Sequence, residues 1–133
     1  MRKRDRIRER LKLFSDKDIL KAMKDSLDNS YEVFRKKLGD YGSDAFKQAG
    51  GMGILWKINE KFNRMDHLLR IDADPNYESI RDTISDLAIW SHILITLVDK
   101  ELVDIDAIKK EYQEAYGKIE KLEEDEDEGD TAG

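Results

Sequence analysis

Glu78-Ser-Ile-Arg-Asp-Thr-Ile-Ser-Asp-Leu-Ala-Ile-Trp-Ser-His-Ile-Leu-Ile-Thr-Leu-Val98 is the stretch whose reading decides the fold. No glycine or proline interrupts it, so it predicts one helix from near Glu78 to about Lys100. Past Asp86 the residues are apolar on nearly every face, which predicts a central helix with neighbours all round. Glu78, Asp82 and Asp86 follow one another at four-residue intervals and line one face, and that row continues through Trp90 or Ile89 to Ile93 and Leu97. The acids therefore share a stripe with core residues. Like charges one turn apart beside a core repel each other unless an Arg or a divalent cation sits between them. An all-oxygen cluster suits Mg²⁺ or Mn²⁺ better than zinc. The alternative is that Glu78 and Asp82 enrich the first turns, where the helix dipole favours acids, and pair with Arg81 or Lys57. That explains Glu78 well and Asp86 poorly.

Upstream, Ile54, Leu55, Ile58, Phe62, Met65, Leu68 and Leu69 recur at helical spacing and predict a second long helix, broken by Asp72-Ala-Asp-Pro-Asn76. Trp56, Glu60, Asn63 or Arg64, and His67 put polar groups on one side of it. Glu60 and Arg64 suit a surface ion pair. Helices joined by a short break also face each other, so Glu60 could complete the carboxylate set while Lys57, Lys61 and Arg64 meet phosphate. His67 and His92 stand alone and read as structural or surface residues. Gly50-Gly51-Met52-Gly53 predicts a flexible connection; no Gly-Lys-Ser/Thr follows it, so it is not a P-loop.

Further towards the start, Ser15-Asp16-Lys17-Asp18 opens a helix carrying Ile19, Leu20, Met23, Leu27, Tyr31 and Phe34 and ending near Lys37, before the turn residues Leu38-Gly-Asp-Tyr-Gly-Ser43. Towards the end, Asp106 to Leu122 predicts a last amphipathic helix. The expected fold is all-α, a four- to five-helix bundle over residues 15–122, with a basic arm or helix over residues 1–14 and a disordered acidic tail over residues 123–133. That tail has no apolar residue before Ala132 to repay the entropy of folding.

The chain has 133 residues, 41% of them charged, a net charge of -6, one proline and no cysteine. This excludes disulfides and thiolate metal sites and fits a cytoplasmic protein, or the host cytoplasm if phage-encoded. No apolar run is long enough for a membrane span and the start is too charged for a secretory signal, so no membrane partner is expected. Arg2, Lys3, Arg4, Arg6, Arg8, Arg10 and Lys12 crowd the start, but Asp5 and Glu9 dilute them, and nucleic acid is not the expected partner. A homodimer is expected, to cover apolar surface left over by so short a bundle.

Lys37-Leu-Gly-Asp40-Tyr41-Gly42, Gly51-Met-Gly-Ile54, Ile58-Asn-Glu60-Lys61-Phe-Asn-Arg64 and Glu78-Ser-Ile-Arg-Asp82-Thr-Ile-Ser-Asp86-Leu-Ala88 together resemble the nucleotide modification associated domain of type 1, a family found largely in phages and prophages. The resemblance covers about Tyr31 to Glu101. It implies a helical domain similar in plan to the MazG-like all-α nucleotide pyrophosphohydrolases, in which acids on neighbouring helices hold Mg²⁺ around a nucleoside triphosphate. Asp40, Tyr41, Lys61, Arg64, Glu78, Asp82 and Asp86 fall on the pattern. Glu60 stands where the family usually has Asp, and Ile89-Trp90 replaces an Asn-Tyr pair. Asp25, Asp28 and Glu32 are only loose counterparts of the paired-glutamate signature typical of the MazG-like enzymes.

The resulting expectation is Mg²⁺-assisted hydrolysis of a (deoxy)nucleoside triphosphate to monophosphate and pyrophosphate. Asp82, Asp86 and Glu60, with Glu78, would hold the metal; Lys61 and Arg64 would neutralise phosphate; Asp40 and Tyr41 would contact base or sugar. A non-catalytic nucleotide binder and a helical protein–protein adaptor stand as alternatives.

Overall fold

The computed structural model of the chain describes residues 2–71 and 76–131, with the side chains of Tyr41, Ala45, Phe46, Ile119 and residues 127–131 left aside. Among the described residues it holds five helices and no strand: α1 (Lys3–Lys12), α2 (Asp16–Tyr41), α3 (Asp44–Arg70), α4 (Tyr77–Asp99) and α5 (Ile105–Thr131). The fold is all-α. None of these helices is long and apolar enough to cross a membrane. The chain divides into two compact units, Met1–Ser43 and Asp44–Gly133.

The first unit holds α1 and α2. Ser15 starts α2 with a capping box: its side chain accepts from the Asp18 backbone N–H at 3.1 Å, and the Asp18 carboxylate accepts from the Ser15 backbone N–H at 3.1 Å. Two otherwise unsatisfied donors are thereby filled. The helix runs past Lys37 to Tyr41, because Gly39 continues the helix and the chain turns only at Gly42, where φ is 75° and a side chain would be strained. No described residue of this unit is buried.

The second unit is organised around α3 and α4, which make the principal helix–helix contact among the described residues. The glycines after Ala49 form a kink in α3 and not a loop: only Gly50 leaves helical geometry, at φ 64° and ψ -174°, and Gly51 to Gly53 are already helical. Gly51 lies against the start of α5 and the segment before it. A Cβ at this position would collide with the tip of the Ile108 side chain and stand 3.1 Å from Val103 Cγ1. Ile54, one turn after Gly50, is fully buried, and Ile89 of α4 is the other buried apolar residue among those described.

Asn76 caps α4, its side chain accepting from the Ser79 N–H at 3.0 Å. Polar groups on this apolar helix are satisfied locally: buried Thr83 donates to the Ser79 carbonyl at 2.8 Å and Ser91 to the Leu87 carbonyl at 2.8 Å. As expected of so short a bundle, apolar surface is left over on α4. Thr83 and Ile89 are inward, while Ile84, Ile95 and Val98 are exposed. The helix ends in a paired reverse turn, with the Leu102 N–H donating to the Leu97 carbonyl at 2.8 Å and the Glu101 N–H to the Val98 carbonyl at 3.1 Å. Glu101 occupies the left-handed position at φ 56°, where glycine is usual.

α5 runs from Ile105 to Thr131 and so takes in the acidic run. Glutamate sustains a helix well locally even where it has nothing to bury, although acids in the last turns oppose the helix dipole.

Candidate functional site on the third and fourth helices

Lys61 and Asp86 are where the two central helices meet electrostatically. Lys61 Nζ lies 3.5 Å from Asp86 Oδ2, with side chains 22% and 32% exposed. Both are half-buried, so their attraction is screened less than that of a fully exposed pair. Placing Lys61 against α4 turns the apolar stripe of α3 the same way: Ile54 is buried and Ile58, Met65 and Leu68 are half-buried. The acid row of α4 rotates gradually from solvent towards the helix interface. Glu78 is exposed, Asp82 is 65% exposed, and Asp86 one turn later is tucked in beside Lys61.

The other acids are engaged close to home. Glu60, 61% exposed, lies 3.4 Å from Lys57 on its own helix, and Asp82 lies 3.7 Å from the guanidinium of its neighbour Arg81. Of the pairings weighed from sequence, Asp82 with Arg81 is present, whereas Glu60 pairs with Lys57 in place of Arg64. Arg64, His67 and His92 are exposed. Among the described residues, no three carboxylates or histidines converge closely enough to hold a metal ion. Of the two acids expected to repel each other, Asp86 lies beside Lys61 and Asp82 beside Arg81.

Of the residues expected to contact base or sugar, Asp40 is exposed in the last turn of α2, within the first unit. Tyr41 closes that helix, and its side chain lies outside those described.

Spacing on one helix could not reveal the aromatic group formed by Trp56 and the last helix. The Trp56 ring centroid lies 6.3 Å from that of Tyr112, and Tyr112 lies 4.6 Å from Tyr116, tilted by 46°. Such tilted contacts add to the packing of α5 on α3. The Tyr112 hydroxyl donates to that of Tyr116 at 2.9 Å, and this hydrogen bond holds the Tyr112 phenol above its ordinary pKa. The interval of four between Tyr112 and Tyr116 signals their own contact; only tertiary packing brings in Trp56.

Comparison with protein-family models, with curated proteins and with solved structures returns no match to this chain.

Proposed function

We propose that the α3–α4 face binds a nucleotide together with Mg²⁺ or Mn²⁺ and hydrolyses a (deoxy)nucleoside triphosphate to monophosphate and pyrophosphate. The observation that supports this reading is the half-buried Lys61–Asp86 pair, a cation for phosphate and a carboxylate for metal brought together from two helices. Asp82 stands one turn from Asp86 on α4, and Glu60 and Arg64 flank Lys61 on α3. Carboxylate oxygens are the donors a hard divalent ion takes, and Asp82 and Asp86, joined by Glu60 and Glu78, would hold it once drawn together around it, since among the described residues no three of these groups already converge. When bound, such an ion neutralises phosphate charge and polarises phosphoryl oxygens.

Lys61 and Arg64 have the complementary role of taking up the negative charge of the phosphate chain. Lys61 must exchange Asp86 for phosphate as ligand enters. A partly exposed ion pair of this kind is worth roughly 1 kcal/mol or less, so the exchange opposes binding only weakly. In the balanced reaction, water adds its oxygen to the α-phosphorus, the bridging α–β phosphorus–oxygen bond breaks, and the proton of the water passes to solvent or to pyrophosphate.

The test is incubation of the full chain with Mg²⁺ and a panel of nucleoside triphosphates, reading pyrophosphate. Turnover is expected, with a loss on the order of 100-fold in Asp86→Asn, a magnitude usual when a charge-stabilising group is removed. Titration calorimetry with the same panel separates the readings. Binding without turnover supports a nucleotide binder, and absence of binding to every nucleotide by folded protein rejects the site.

A second reading, a helical adaptor, is favoured by the apolar side chains that the second unit exposes, among them Trp56, Ile84, Ile95, Leu102 and Ile105. Under it, Asp82→Ala leaves function intact.

A further inference from the structure

We propose that α1 is an amphipathic anchor that lies along an anionic lipid surface. Residues 2–12 hold seven Lys or Arg and two acids, on a chain of net charge -6. The order of residue types round the helix, more than the excess of charge, identifies the partner.

Successive residues of an α-helix turn through about 100°. Ile7 and Leu11 therefore stand together, and Phe14, whose N–H donates to the Leu11 carbonyl at 3.1 Å, extends their row. Arg6 and Arg10 border this row on one side and Arg4 and Arg8 on the other, while Asp5 and Glu9 fall on the opposite face. A helix lying in a bilayer interface has this order. Its apolar row enters the acyl boundary, the guanidinium groups at the margins reach out to the lipid phosphates, and the acids stay in water.

Pairing within the helix leaves most of these cations available. Lys12 lies 2.9 Å from Glu9 and Arg4 lies 3.9 Å from Asp5, whereas Arg6, Arg8 and Arg10 have no acidic partner among the described residues.

Two other anionic partners fit less well. Nucleic acid takes up the cations but offers nothing to an apolar row set between them. The chain's own acidic run, Glu123 to Glu128, has the charge but contains no apolar residue to cover Ile7 and Leu11. An anionic bilayer supplies both. Lying on a surface needs no membrane span, so the lack of a long apolar helix among the described residues does not oppose it.

Co-sedimentation of the full chain with phosphatidylcholine vesicles, with and without phosphatidylserine, tests the proposal. Binding is expected only with phosphatidylserine present, and it should weaken as salt is raised. The double variants Ile7→Gln with Leu11→Gln and Arg6→Gln with Arg8→Gln should each lower vesicle binding by roughly tenfold or more. Since no residue of α1 is buried, both variants should keep the thermal melt of the parent chain. Absence of binding to phosphatidylserine vesicles, equal binding to neutral vesicles, or unweakened binding by the Ile7→Gln, Leu11→Gln variant each overturns the proposal. So does binding to duplex DNA or RNA at concentrations where the vesicles are not bound.

Discussion

Ser15 and Asp18 show how much one pair of exposed residues specifies. Each satisfies a backbone donor of the other, and the Ser15 backbone N–H, with its hydroxyl second, holds the Asp18 carboxyl below its ordinary value. A carboxyl with a lowered folded-state pKa stabilises the fold above its unfolded value. That contribution disappears as pH falls through the lowered one. Ser15→Ala should cost α2 about 1 kcal/mol, and it should flatten the acid limb of the helix-melting profile only in part, because Asp18 loses the hydroxyl but keeps the backbone N–H, the larger of the two groups that favour its ionised form. Far-ultraviolet circular dichroism against pH, with Asp18→Asn as the parallel variant, checks both. At Lys61 and Asp86 the residue scale alters an expectation. Relief of like-charge repulsion alone makes Asp86→Ala neutral or stabilising, but Lys61 would then be left half-buried without this carboxylate, so a small loss is expected.

At the level of elements, two positions in the left-handed half of backbone space bend the second unit into shape, and they respond oppositely to substitution. Gly50 kinks α3 with φ 64° and ψ -174°, and nothing lies within 4 Å of a Cβ placed there, so Gly50→Ala is opposed by backbone strain and not by collision. A loss of about 1–3 kcal/mol is expected. Glu101 adopts φ 56° in the turn ending α4 and carries the same kind of strain already. Glu101→Gly removes about 1–2 kcal/mol of it. The extra freedom of glycine in the unfolded chain returns part of that, leaving a net gain below about 1 kcal/mol. Thermal melts of the two variants should therefore shift in opposite directions.

Over the whole molecule, the buried apolar residues among those described are Ile54 and Ile89, both in the second unit. With so little interior, each core side chain carries a large share of a stability that is only about 5–15 kcal/mol in ordinary domains. Ile54→Ala should cost about 2–5 kcal/mol, whereas Ile105→Ala, half-exposed at the start of α5, should stay within about 0.5 kcal/mol. Urea unfolding of the pair measures the contrast; similar losses would mean that α5 rather than α3 closes the core.

The all-α class and the helices α2 to α5 were legible in the sequence because periodicity, capping residues and breakers are local properties. The Ser15 cap, the end of α3 before the proline segment and the span of α4 need only the spacing of apolar residues and the conformational limits of the backbone. The four-residue interval of Glu78, Asp82 and Asp86 likewise places them on one side of a helix whatever surrounds it. What that side faces depends on helix rotation, and amphipathic spacing leaves rotation free by tens of degrees. Packing of α3 on α4 decides it, turning Asp86 towards Lys61 and leaving Asp82 and Glu60 in solvent beside Arg81 and Lys57. Tertiary packing also brings Trp56 to Tyr112 across two helices and sets Ile108 of α5 against Gly51. These are contacts between residues distant in sequence, and no single-helix pattern encodes them.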